Sequence, residues 1–288
     1  MLKKLLKILL WVIGCFTLLA GIIYLVAWKS PLYYIVSKPY NPADSIIPFS
    51  RYNEIINHPR PFIITLKNKY TIFGSVHTRD PKHIEIKLIE EEWKKLSPTV
   101  ALIEGRLDFL LPWFMDPVKN LGEAGKVKEL ASEDNITVYN WDLSKEILAK
   151  QLLQKFTAEQ IALAQVLNPY FGHLRFGKPS SPESYVESFL KRAKYVDQES
   201  NFKTVADIDR IWRKYFPAGK DWRDTDDQYG LPGFLDKIAI FNNDLRNRQL
   251  VAAVKELTAK GERVFLTCGS SHAACISTAF RDTISNKQ

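Results

Sequence analysis

Residues 70–80 read Tyr70-Thr71-Ile72-Phe73-Gly74-Ser75-Val76-His77-Thr78-Arg79-Asp80. The apolar, β-prone run of Tyr70, Ile72, Phe73 and Val76 predicts a buried strand, with Gly74 and His77 at its end. In an α/β protein ligands bind in the crevice beyond the carboxyl ends of the strands. A histidine there projects into a candidate cleft. Arg263 to His272, RVFLTCGSSH, repeats the plan, with Gly269 three residues before His272. Two strands ending in Gly-x-x-His would join imidazoles 195 positions apart in the chain.

Working outward, Pro61–Lys67 and Lys69–Val76 predict a hairpin turning at Lys67-Asn68-Lys69. His83–Leu96 is an amphipathic helix with Ile84, Leu88, Ile89 and Trp93 near one face. Thr99–Ile103 is a short apolar strand followed at once by Glu104. Strand, helix, strand at this spacing predicts a βαβ unit with a parallel pair, so Glu104 and His77 would leave the sheet at one edge. Leu107–Leu121 is apolar and aromatic but broken by Pro112 and Pro117, and reads as either a loop over the cleft or part of a core. Glu123–Asp134 predicts a helix and Ile136–Trp141 a third parallel strand. Asp142, just past it, is either a site carboxylate or a helix cap.

From Ser144 the reading is helical, with a capping box at Thr157-Ala158-Glu159-Gln160. Further helices follow at Pro182–Val196 and Thr204–Tyr215. The acidic loop with Asp221, Asp224, Asp226 and Asp227 lacks the glycine and closing glutamate of a calcium loop and reads as solvated. Phe234–Lys260 predicts one long helix or two broken ones, carrying Arg246 and Arg248. Arg263–Thr267 is the last strand and Ser270–Ile284 the last helix.

The N-terminus differs. Ile8–Trp28 is apolar and uncharged, after Lys3, Lys4 and Lys7. Such a run matches a hydrocarbon core about 30 Å thick. The lysines place the N-terminus in the cytoplasm and the bulk of the chain outside. Residues 1–29 are thus read as an uncleaved, single-pass membrane anchor, with a cleaved signal peptide or a lipobox at Val12-Ile13-Gly14-Cys15 as rivals. The proline-rich residues 30–60 read as a tether, and 61–288 as the α/β domain. The formal charge of +8 is spread, without basic runs interleaved with aromatics. It suits anionic headgroups and excludes a nucleic-acid surface. Cys268 and Cys275 read as buried small hydrophobes, and the three cysteines make no disulfide framework.

The candidate chemistry rests on His77, His272 and Glu104. Two histidines and a carboxylate are an accepted ligand set for a catalytic metal with an open position for water. The same residues serve a metal-free reaction, one histidine as base and the other as acid. Arg246 is a candidate partner for negative charge. Against this stand plainer readings: hydrogen-bonded structural histidines, glycines serving tight turns, and arginines on a solvated helix face.

Gly74-Ser75-Val76-His77, Glu104 after an apolar strand, Arg246-Asn247 and Gly269-Ser270-Ser271-His272, in that order, resemble the TraB/PrgY/GumN group, which includes the Tiki metalloproteases. The resemblance implies an α/β fold with a mostly parallel central sheet, flanking helices and a helical insertion at about 144–241. It also implies one site lined by His77, Glu104, Arg246 and His272, with the motif glycines Gly74 and Gly269 beside it; Asp142 joins this set only through its place just past a strand. A divalent metal and peptide cleavage follow for the Tiki branch. The sequence departs from the pattern at Gly105-Arg106, where an acidic neighbour is usual, at Asn247, and at Ser270-Ser271. The resulting expectation is a membrane-anchored hydrolase acting outside the cytoplasm on a peptide or small ester. A metal-independent esterase-like hydrolase and a non-catalytic haem- or peptide-binding protein are the alternatives.

Overall fold

The computed structural model describes residues 2–174, 177–225 and 230–283. They divide into two compact units: Met1–Ile46, Ile55–Asp142 and Gln249–Gln288 in the first, Ile47–Glu54 and Leu143–Arg248 in the second.

Among the described residues of the first unit, five strands form one sheet: β1 (Phe62–Leu66), β2 (Tyr70–Ser75), β3 (Val100–Ile103), β4 (Thr137–Asn140) and β5 (Val264–Gly269), in the order β1-β2-β5-β3-β4. β1 and β2 form the hairpin, with Asn68 at φ 60° in its turn. The other neighbours are parallel. The protein is therefore a mixed α/β fold with a mostly parallel sheet. Every residue of β2, β3 and β5 is buried, as expected of parallel strands covered on both faces.

The period of two in these strands builds two cores. Phe73, Ala101, Ile103 and Phe265 face helices α2 (Ile84–Leu96) and α3 (Pro117–Glu133). Ile72, Leu102, Val264 and Leu266 face Val251, Val254 and Leu257 of helix α8 (Phe234–Ala259) and Ala273 and Ile276 of helix α9 (Ser270–Ile276).

Two helices differ from their sequence reading. In α2 the buried stripe is Glu85, Ile86, Ile89, Trp93 and Leu96, while Ile84 is exposed. His83 caps the helix by accepting the Glu85 N–H, which fixes the rotation. α3 opens earlier, at Pro117, where Asp116 caps it and proline suits the first helical position, and the predicted helix from Glu123 to the Asp134 cap is its second segment. The helix then kinks at Gly122, whose φ is 64°.

Helix α1 (Leu2–Val26) covers the apolar N-terminus. Among the described residues no helix is long and apolar enough to cross a membrane. The side chains at positions 2, 3, 5, 8, 20, 22, 25 and 26 of α1 lie outside that description. The chain after α1, up to Ile46, is part of unit 1. Tyr34 is buried, and its hydroxyl donates to Glu256 at 2.9 Å. Glu256 also accepts the Ser37 N–H and hydroxyl, at 2.7 and 2.8 Å, and Lys260 Nζ at 2.7 Å.

The second unit is helical in its described residues: α4 (Lys145–Leu152), α5 (Ala158–His173), α6 (Pro182–Glu187), α7 (Val205–Tyr215) and α8 up to Arg248. The predicted capping box of Thr157 and Gln160 is present. Tyr170, Phe202, Trp212 and Trp222 fill its core. In the acidic loop Asp221 pairs with Arg223 and Asp224 with Lys178, whereas Asp226 and Asp227 lie outside the described residues.

The Glu256 network predicts a pH dependence. Burial alone would raise this carboxyl, but Lys260, Ser37 and Tyr34 hold it down at about 2. A depressed carboxyl contributes stability above its unfolded value and loses it as pH falls through the folded one. Glu256→Gln should destabilise the protein by about 1–3 kcal/mol at pH 7. The gap should close between about pH 4.3 and pH 2. Urea unfolding across this range tests it, and a gap independent of pH refutes it.

Candidate functional site

The carboxyl edge of the four parallel strands gathers the polar residues of unit 1. β2 ends at Ser75, which pairs in register with Gly269 at the end of β5. Glu104 follows β3, and its Oε2 accepts the Gly269 N–H at 2.8 Å. Asp142 follows β4 and accepts the Gly105 N–H at 3.1 Å, tying down the turn behind Glu104. Of the alternatives read for Asp142, a helix cap is not the one seen; Ser144 caps α4.

His77 and His272 meet at the same glycine. A methyl group built on Gly269 would lie 2.8 Å from His77 Nε2, 3.5 Å from His77 Cε1 and 3.8 Å from Cδ2 of His272. The missing side chain at 269 is therefore the space into which His77 leans. His272 is buried, and its ring meets Trp141 edge to face at a centroid distance of 5.6 Å. Trp141 is fixed in turn by its indole N–H, which donates to the Thr267 carbonyl at 2.9 Å.

Gly74 serves a different need. A methyl there would stand 2.6 Å from Ala273 Cβ and 2.9 Å from both Phe62 O and Ser270 Cα. Its absence lets α9, and with it His272, press directly on β2. The first Gly-x-x-His glycine thus seats the second motif's helix, and the second motif's glycine seats the first motif's histidine.

His77 is held in an uncommon backbone state, with φ 62°. For a residue with a side chain this costs about 1–2 kcal/mol. Such strain is retained where surrounding contacts over-determine it, often at functional sites. Here the contact is Glu123, whose Oε1 lies 2.7 Å from His77 Nδ1. The Glu123 side chain is 9% exposed and that of His77 32%. The kink at Gly122 brings Glu123 to this position, for a methyl at 122 would lie 3.0 Å from the Thr78 carbonyl. A second buried carboxyl, Glu85, accepts the Val76 N–H at 3.1 Å. Burial pushes Glu85 above the ordinary carboxyl range, and nearby Glu123 adds to the rise.

Glu85, Glu123 and Trp141 were not singled out in the sequence. Glu85 carried a signal, since it sits four residues before Ile89 and eight before Trp93, on a stripe that should be apolar. Glu123 carried a weaker one, a glycine directly before it inside a helical stretch. Arg246 is half-buried on α8, in the second unit. Cys268 and Cys275 are buried.

The donors at this edge, two imidazoles and several carboxylates, are of the types that bind a metal. Among the described residues, however, no group of three or more His, Cys, Asp or Glu is disposed to hold one. One Glu104 oxygen is already committed to the Gly269 amide. No family model, curated protein or solved structure matches the chain.

The two glycines should respond differently to a methyl group. Gly74→Ala meets backbone and a packed helix, and should cost about 2–3 kcal/mol or prevent folding. Gly269 has ordinary backbone angles, φ −61° and ψ 145°, and its nearest obstacle is the tip of one imidazole. Gly269→Ala should fold with a loss of about 1 kcal/mol or less and shift the His77 ring resonances. Denaturant unfolding with imidazole NMR tests both; equal destabilisation by the two variants contradicts the assignment.

Proposed function

We propose that unit 1 is a hydrolase acting on a peptide or ester bond, with His77 as the general base. The observation that carries this is the His77–Glu123 pair. A buried carboxylate 2.7 Å from Nδ1 favours the tautomer protonated at Nδ1, which leaves Nε2 as the acceptor. Nε2 is the atom that leans over Gly269. It would take the proton of an attacking water as the water adds to the carbonyl carbon. The resulting imidazolium is stabilised by Glu123 and would return the proton to the leaving group. Glu104 and Asp142 hold the Gly269 and Gly105 amides in place. His272, set by Trp141, closes the other side of the Gly269 gap.

A second reading uses a divalent metal. It is favoured by the same carboxylate contact, because metal-ligating histidines usually give their other ring nitrogen to a carboxylate or carbonyl. His77, His272 and Glu104 would hold the ion, which lowers the pKa of a bound water towards 7. Kinship with the TraB/PrgY/GumN group, proposed from the two Gly-x-x-His motifs and Glu104, supports hydrolysis under either reading.

The membrane attachment is also proposed. Around α1 the apolar residues Trp11, Phe16, Leu18 and Tyr24 are 66–76% exposed on all sides of the helix, as in a membrane span rather than a helix packed on a core. The backbone N–H of Trp28, just past its end, donates to the Leu110 carbonyl at 2.8 Å. That bond places a loop with exposed Phe109, Trp113 and Phe114 beside the helix exit, where aromatic residues meet headgroups. Lys3, Lys4 and Lys7, in the first two turns of α1, would keep that end in the cytoplasm and put the domain outside it.

Assays of the full chain in detergent against ester and peptide substrates, with metal analysis, test the reading. His77→Ala should lower turnover by about 10²–10⁴-fold, and Glu123→Gln by about 10–100-fold. Stoichiometric metal lost in His77→Ala and His272→Ala selects the metal reading, and turnover after chelation selects the metal-free one. Tight haem or peptide binding without turnover, or an unimpaired His77→Ala, refutes the hydrolase. In the same preparation, release of the wild type from membranes by alkaline carbonate refutes the anchor.

A further inference from the structure

A cavity of about 50 Å³ lies within the helical unit, bounded by α4, α5, residues 190–196 and the first half of α8. It holds the volume of roughly three to five waters, enough for a short branched side chain and too small for a long acyl chain. Its interior is apolar: Leu148, Leu152, Phe171, Leu235 and Ile238 line it and are buried.

Five polar side chains break this apolar wall: Lys145, Gln165, Asn168, Arg192 and Asn242. Gln165 has both amide atoms buried without a hydrogen-bond partner, and Asn242 has a buried, unpartnered Oδ1. Buried amides in that state cost about 1–3 kcal/mol each. Arg192 is half-buried, with its guanidinium 4.7 Å from the centre of the Phe189 ring. Burial pulls it below its ordinary value, and the nearby Tyr195 and Tyr185 act the other way. A guanidinium stays charged in a protein, and among the described residues no carboxylate pairs with this one.

These groups set the chemistry that the cavity would accept. Arg192 calls for a carboxylate, whose two oxygens match its fork. The Gln165 Oε1 and Asn242 Oδ1 acceptors call for an N–H donor. No acidic residue lines the cavity, while Lys145 and Arg192 do, so a free ammonium is disfavoured and a neutral amide N–H is preferred. We propose that this cavity binds an N-acylated apolar amino acid unit: carboxylate on Arg192, amide N–H on Gln165 or Asn242, and a leucine-sized side chain in the interior. The C-terminal residue of a peptide and a free N-acyl amino acid share this chemistry. Nothing in the assignment depends on His77, which belongs to the other unit.

Calorimetric titration of the full chain in detergent with N-acetyl-L-leucine is the test. N-acetyl-L-leucinamide lacks the carboxylate, 4-methylpentanoate lacks the N–H, and free L-leucine carries the ammonium. Each should bind at least about tenfold more weakly, the scale of one lost charged or buried hydrogen bond. A tripeptide ending in leucine that binds more tightly than N-acetyl-L-leucine identifies the peptide as the source, and equal binding identifies the small molecule. Arg192→Gln should weaken binding at least about tenfold with the fold intact by circular dichroism. Ala164→Leu, which fills the cavity, should abolish binding and raise the melting temperature. No heat from N-acetyl-L-leucine at millimolar concentration, unchanged affinity in Arg192→Gln, or octanoate binding equally well would each overturn the proposal. The first of these outcomes would leave the cavity a water-filled packing defect.

Discussion

The parallel pairing of β5 with β2 is the contact on which unit 1 depends. Its register sets Ser75 beside Gly269, and every convergence at the sheet edge follows from that. Because β5 also pairs with β3, it lies between the ends of β2 and β3, and so between His77 and Glu104. A one-residue slip would turn the alternating core residues of β5 to the wrong faces, so burial of Val264, Phe265 and Leu266 enforces the register. Hydrophobic packing of the strands thus fixes polar atoms beyond their ends.

The site is built as much from absent atoms as from present ones. Gly74 admits α9 to the face of β2, and Gly269 admits the His77 ring to the end of β5. Around these gaps the carboxylates serve as supports: Glu104 holds Gly269, Asp142 holds Gly105, Glu85 holds Val76 and Glu123 holds His77. Three of these four bonds go to backbone amides at or just past strand ends. Burying carboxylates is costly unless they are hydrogen-bonded, and here those bonds also hold a left-handed histidine in place. Stability is given up locally so that one imidazole keeps a fixed orientation.

The helical unit solves a different packing problem. Its aromatic core, centred on Tyr170, Trp212 and Trp222, is closed by indole donors to Lys220 O and Asp209. Arg223 joins Asp209, Asp221 and Glu183 at its surface. Arg192, by contrast, lies over Phe189 beside the cavity that holds the Gln165 and Asn242 amides. The same unit therefore contains one arginine held by three carboxylates and another that lies over an aromatic ring and lines a cavity.

The sequence by itself determined the hairpin, the parallel strands, the helices between them and the two Gly-x-x-His ends, because apolar periodicity and cap residues are local quantities. It also marked Glu104 and Asp142 as residues just past strands. It misplaced the buried face of α2, where Ile84 looked apolar enough to point inward and Glu85 did not. It left Leu107–Leu121 undivided, because Pro112 and Pro117 read alike although only Pro117 opens a helix. Only the tertiary structure decided that β5 inserts between β2 and β3, that Glu123 is the partner of His77, and that both motif glycines are needed for contacts with the other motif. Those are relations between residues tens to hundreds of positions apart. They are set by sheet order and by the close approach of backbones, neither of which leaves a periodic mark on the chain.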